Sequence, residues 1–197
     1  ASAPPPPDLA ALAHSSKRTE QLASFTGPTP GEGGFYLVPF ASNSLLEGQG
    51  AHLPWLQAAP DPITTVTWQT WLEINVKDAE QEGLRIGDVV RVIAGPDGGT
   101  KEVLAVAYPH PAIPPGTVAI PVGQGHNTAN LPYAQGKGAN VLALLDLVQE
   151  KETGAFAWAA NRVRLEKNGA RVRVSMFEGT PGARQEPHER IVQIVPR

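Results

Sequence analysis

Cysteine is absent from this 197-residue chain. That excludes a disulfide scaffold, a cysteine-ligated iron–sulfur cluster and a thiolate metal ligand within it. No apolar run approaches the roughly 18–20 residues of a membrane span, and no signal-peptide pattern is visible. Charge is nearly balanced, with 16 Lys and Arg against 19 Asp and Glu and a net charge of −3. Such a balance gives no reason to expect nucleic acid or an anionic membrane as partner. The five histidines are scattered without metal-ligand spacing. There is no Gly-x-Ser-x-Gly elbow, no His-Glu-x-x-His, no P-loop, no Rossmann turn and no paired carboxylates for acid–base work. No catalytic residue and no metal ligand is therefore assigned in this chain. What it holds in excess is turn formers, 20 Gly and 20 Pro. They point to a turn-rich β protein rather than a helical bundle, and the length fits one domain plus tails.

Residues 1–34 read as a Pro/Gly-rich linker, with a Pro4–Pro7 run and Gly27-Pro28-Thr29-Pro30-Gly31, too poor in apolar surface to fold alone. The chain starts at Ala1, which processing or excision from a longer polypeptide would explain. The domain is expected over 35–197. Phe35–Phe40 opens it as a short apolar strand, and Val66–Ile74 alternates as a second. Asn75 is a helix N-cap with Asp78 as its acidic N3 partner; the helix runs through Glu82, and Gly83 suits the left-handed position beyond. Val89–Ile93 and Thr100–Tyr108 form a hairpin about Gly95–Gly99, and Thr117–Val122 is another apolar strand. Lys167-Asn168-Gly169 predicts a second hairpin between Val163–Leu165 and Arg171–Met176, and Ile191–Val195 a last strand. Six or more short strands with one or two short helices indicate a mainly β fold closed as a barrel.

Several of these segments resemble a known family. Trp71-Leu72-Glu73-Ile74-Asn75, Asp78-Ala79, Gly83-Leu84 and Gly87-Asp88-Val89-Val90-Arg91-Val92 look like the strand–helix–strand signature of the molybdopterin-dinucleotide-binding domain. Ile113-Pro114-Pro115-Gly116-Thr117-Val118, the Gly123–His126 loop and Asn140 continue its spacing. The resemblance covers residues 35–195. It implies a double-psi β-barrel, of the aspartate-decarboxylase-like kind, that closes the polypeptide of dimethyl-sulfoxide-reductase-class molybdenum oxidoreductases. Gly48-x-Gly50-Ala51-His52-Leu53-Pro54-Trp55-Leu56-Gln57 with Asp61-Pro62-Ile63-Thr64 is similar to one branch, the large periplasm-facing subunits of alternative complex III and the related quinone reductase complex. That branch implies a molybdopterin-type domain without its molybdenum cofactor, other domains and subunits of a membrane-associated respiratory complex as partners, and a place on the periplasmic side of a bacterial inner membrane.

The candidate cofactor-binding residues follow from the same resemblance, each beside a plainer role. Ser42 and Asn43 follow the first strand, where the family contacts the pterin; turn capping is the alternative. His52 stands where cofactor-binding relatives place a His, in surroundings apolar enough to read first as packing. Gly123, Gln124, Gly125 and His126 form a loop whose backbone N–H groups could approach a pyrophosphate or a guanine, or simply turn the chain. Asn140 could read a base edge or cap a helix. Trp55, Trp68, Trp71 and Trp158 are core or interface anchors. Arg162, Arg164, Lys167, Arg171 and Arg173 form a basic ribbon, solvated or docked on an acidic partner.

Three readings remain open. The first is a structural and assembly module of a quinol-linked respiratory oxidoreductase, with no catalysis and no bound cofactor of its own. The second is the domain capping a bis-molybdopterin guanine dinucleotide in an active oxidoreductase. The third is a stand-alone double-psi barrel for recognition. In either of the first two, the metal ligand and catalytic groups lie in other domains.

Overall fold

The computed structural model describes residues 34–95, 101–146, 149 and 153–177. The expected linker up to Gly33, the turn residues 96–99, Leu147-Val148 and the expected strand Ile191–Val195 lie outside the described residues. Gly34 already pairs with Arg164, so the barrel opens one residue before the expected boundary.

Six strands close into a barrel: β1 (Gly34–Ala41), β2 (Trp71–Ile74), β3 (Asp88–Ala94), β4 (Lys101–Pro109), β5 (Thr117–Val122) and β6 (Arg162–Arg171), in the order β1-β5-β2-β4-β3-β6. Two pairs, β1·β5 and β2·β4, are parallel, and the other four are antiparallel. Both parallel pairs join strands that are not consecutive in the chain, so each is linked by a crossover, in keeping with the double-psi expectation. Two short helices accompany them, α1 (Pro54–Gln57) and α2 (Val76–Gln81), with a 3-10 turn at Val141–Leu144.

Alternation decides what fills the cylinder. Leu37, Leu72, Ile74, Val90, Val92, Ala105, Ala107, Val118, Ile120 and Val163 are buried in one core cluster. Of their outward neighbours in β4, Glu102 and Leu104 are exposed, while Val106, which lies beside β2, is buried. Each full burial of a Val, Leu or Ile side chain contributes about 1.5–3 kcal/mol. In β2 the outward residues are buried as well: Trp71 packs edge-on against Phe40, and its indole N–H donates to the Glu73 carboxylate at 2.9 Å.

The structure corrects the expected second strand, which is four residues long instead of nine. Thr65 and Trp68 have φ of 56° and 61°, and these left-handed kinks break the extended run. Val66 and Thr67 turn instead to the chain after β6, the N–H of Thr67 donating to the Ser175 carbonyl at 2.8 Å.

Asn75 caps α2 as expected, accepting from the N–H of Lys77 at 2.9 Å, and Gly83 is left-handed with φ of 64°. Asp78 does not close a capping box with it. Its carboxylate accepts from the N–H of Gly116 at 2.6 Å, tying α2 to the turn before β5.

The second expected hairpin is absent. Lys167-Asn168-Gly169 runs inside the continuous strand β6. Val90 faces Lys167 and Asp88 faces Arg171, so one residue of β3 spans three of β6. The Asn-Gly pair makes a bulge, with Gly169 at φ of 86°, rather than a reversal. The long partner β3 holds both flanks in one line, and this tertiary ladder overrides the local turn preference. Of the expected basic ribbon, Lys167, Arg171 and Arg173 are exposed as a solvated face requires, and Arg162 is the exception. Arg162 is buried and stacks 4.4 Å from the Tyr36 ring, Arg164 pairs with Glu166, Lys167 with Asp88, and Arg171 donates to the Ile86 carbonyl.

Candidate functional site at the loop-bearing end

Parallel pairing of β1 with β5 places Ala41 beside Val122, so the two strands release their loops side by side. This register brings Ser42 and Asn43 next to the Gly123–His126 loop. Ser42 is buried, and its hydroxyl accepts from the N–H of Leu45 at 3.2 Å while its backbone pairs with Leu46. That is turn capping. Asn43 beside it is exposed.

The turn delivers Gly48 against the second loop. A Cβ on Gly48 would come within 2.9 Å of the His126 imidazole, and one on Gly123 within 3.0 Å of the Leu46 carbonyl. Gly123 therefore meets the backbone of the first loop directly, while Gly48 lies against the His126 ring, and a side chain at Gly123 would need that backbone to shift. Gln124 turns inward. Its amide donates to Gln57 Oε1 at 2.7 Å, and Gln57 donates both to Gln124 Oε1 at 3.3 Å and to the Ala51 carbonyl at 2.8 Å. Both side chains are buried. The reciprocal pair ties α1 to the β5 loop and satisfies amides whose unpaired burial would cost about 1–3 kcal/mol.

A third segment closes over Gly125. Its N–H donates to the Lys137 carbonyl at 2.8 Å, and a Cβ on it would collide with the backbone of Ala139 and Asn140. The His126 carbonyl accepts from Gly136 at 3.2 Å, and Ala139 donates to the Thr70 hydroxyl at 2.9 Å. Asn140 is exposed and caps the 3-10 turn, accepting from the N–H of Leu142 at 3.2 Å.

The structure thus gathers Ser42, Asn43, Gly123, Gln124, Gly125, His126 and Asn140 at one end of the barrel. His52 is not shown to join them. It is exposed rather than packed, and no hydrogen bond among the described residues ties its ring to the cluster. Trp55, expected as an anchor, is 65% exposed on α1. Sequence reasoning missed Gln57 and Thr70. A glutamine inside Pro54–Gln57 and a threonine before β2 carry no pattern of their own; their roles arise from contacts 67 and 69 residues away.

The site is neutral in character. Among the described residues no ion pair joins these loops, and no group of His, Asp and Glu could hold a metal ion. Lys137 is the loop cation, 5.9 Å from the ring centre of Trp68. A cleft between Ser42, Gln57, Thr67, Gln69, Trp71 and Gln124 encloses about 20 Å³, room for one water.

Comparison with known proteins decides the family. The sequence model of the molydopterin dinucleotide binding domain matches residues 59–157, half of the chain. The chain belongs to that family. Among solved structures it is similar to acetylene hydratase from Pelobacter acetylenicus, with a TM-score of 0.50 and 17% identity over 68% of this chain. At that identity the likeness concerns the fold. The chain spans 18% of that enzyme's length. No match was found among the curated proteins compared.

The family domain binds molybdopterin dinucleotide in intact enzymes. The loop glycines fit a pyrophosphate cradle poorly here. The space beside Gly123 and Gly125 is filled by protein backbone, and the N–H groups of Gly125 and Gly136 are already given to Lys137 and His126 carbonyls.

Proposed function

We propose that this domain is a structural and assembly module of a larger respiratory oxidoreductase, holding other domains or subunits in place and performing no catalysis itself. One observation carries the reading: the loops that would face a dinucleotide close on one another, Gly125 against Asn140 and Gly123 against Leu46 and Gly48. The likeness of Gly48–Thr64 to the large subunit of alternative complex III supports the quinol-linked, membrane-associated setting and the periplasmic side. No helix among the described residues is long and apolar enough to cross a membrane, so membrane association through partners suits the proposal. Catalytic and electron-carrying groups belong to other domains.

The rival proposal, a cap over a bis-molybdopterin guanine dinucleotide, is favoured by the family match, which includes the Gly123–His126 loop and Asn140. Metal and pterin analysis of the full-length protein, purified from its own host, separates the two. The structural module predicts molybdenum, tungsten and guanine-bearing pterin well below one per chain. One equivalent of each would overturn it.

A further inference from the structure

Asn168-Gly169 is the one place in the sequence where glycine follows asparagine; the other asparagines precede Ser44, Val76, Thr128, Leu131, Val141 and Arg162. The glycine matters because it carries no Cβ to hinder its own backbone nitrogen from reaching the neighbouring side-chain carbonyl. In most strands the ladder would hold that nitrogen away. Here it does not. Val89 alone faces the three residues Asn168, Gly169 and Ala170, and one residue offers a single N–H and a single carbonyl. Asn168, Gly169 and Ala170 are all exposed, and nothing lies within 4 Å of where a Gly169 Cβ would stand.

We propose that the β6 bulge is a site of spontaneous covalent modification, cyclisation and deamidation at Asn168. The Gly169 nitrogen gives its proton to hydroxide and attacks Cγ of Asn168. The Cγ–Nδ2 bond then breaks, and ammonia leaves with a proton taken from water. Water opens the resulting succinimide at either carbonyl, yielding aspartate or isoaspartate. No oxidant or reductant is involved.

The products matter because of their neighbours. Lys167 bridges to Asp88 at 3.0 Å and donates to the Gly83 carbonyl at 2.6 Å, which clamps β6 to the start of β3. Deamidation sets a new carboxylate on the residue that follows Lys167, and isoaspartate adds a methylene to the strand backbone. The seam loosens there, and the modified chain melts at a lower temperature than the unmodified one.

The test is ageing of the full chain at mildly alkaline pH, folded and in denaturant, followed by digestion after Glu166. The peptide beginning at Lys167 is then weighed and assayed for isoaspartate. An open bulge predicts that the folded chain modifies Asn168 first among its asparagines, at no less than about one tenth of the unfolded rate, since a locally open segment exchanges between conformations without global unfolding. Asn168→Gln abolishes the modification of that peptide. A folded rate below one tenth of the unfolded one, or an earlier reaction at another asparagine, overturns the proposal.

Discussion

The loop-bearing end and the β3–β6 seam both rest on left-handed glycines and long-range polar contacts, yet they hold together by opposite means. The loop end is neutral: a buried pair of glutamine amides and glycines pressed against foreign backbone. The seam is ionic: Asp88 with Lys167 at 3.0 Å, and Arg91 between Glu102 and Glu166. Buried, water-excluded contacts of the first kind are expensive to disturb, whereas in the seam only Asp88 is buried and the charges around it, Lys167, Arg91, Glu102 and Glu166, are two-fifths or more exposed and exchange protein for solvent at little cost. The difference suits a loop end that must keep a fixed shape and a seam that tolerates local opening.

The largest effect should come from Gly125→Ala. It meets both a left-handed φ of 85° and the Ala139–Asn140 backbone, and a loss of about 3–5 kcal/mol in denaturant unfolding is expected. Gly169→Ala has nearly the same φ, 86°, with open space around it, and should lose about 1–2 kcal/mol. Equal losses would break the comparison. Next, Gln57→Ala leaves the Gln124 amide buried and without the one side chain that pairs both its oxygen and its nitrogen, for about 2–3 kcal/mol, with the loop end loosening before the barrel in hydrogen exchange.

Asp88 sharpens the ionic side. The backbone N–H of Arg85 first, then the Lys167 ammonium, hold its carboxyl below the ordinary value of 3.8, against the opposing effect of burial. A lowered folded value means that the contribution is complete above 3.8 and fades as pH falls through the folded value. The wild type should therefore lose stability in acid more steeply than Asp88→Asn, measured as unfolding midpoint against pH. The smallest effect belongs to Arg91→Ala. Its pairs with Glu102 and Glu166 are two-fifths or more exposed, so the change should stay below about 1 kcal/mol and shrink further in high salt.

The barrel was readable because its signals are periodic and local. Thr117–Val122 coincides with β5, Asn75 and Gly83 bound a real helix, and the alternation of Val103, Ala105 and Ala107 marks the inward face of β4. What failed was decided at long range. Asn168-Gly169 reads as a turn in isolation and becomes a bulge because β3 grips both of its flanks. Val66–Trp68 alternates like a strand but is diverted by contacts with Ser175 and Met176. The glycines of the loop end were visible as glycines. That Gly48, Gly123 and Gly125 lie where the loops approach one another follows only from where parallel pairing of β1 and β5 sets them down.

The most direct test is amide hydrogen exchange at Gly125 and Gly136 in the full chain, with and without guanosine diphosphate, which carries both a guanine and a pyrophosphate. Loops closed on each other predict slow exchange at both amides before any addition and no change after it. Fast exchange that the nucleotide then suppresses would contradict the account.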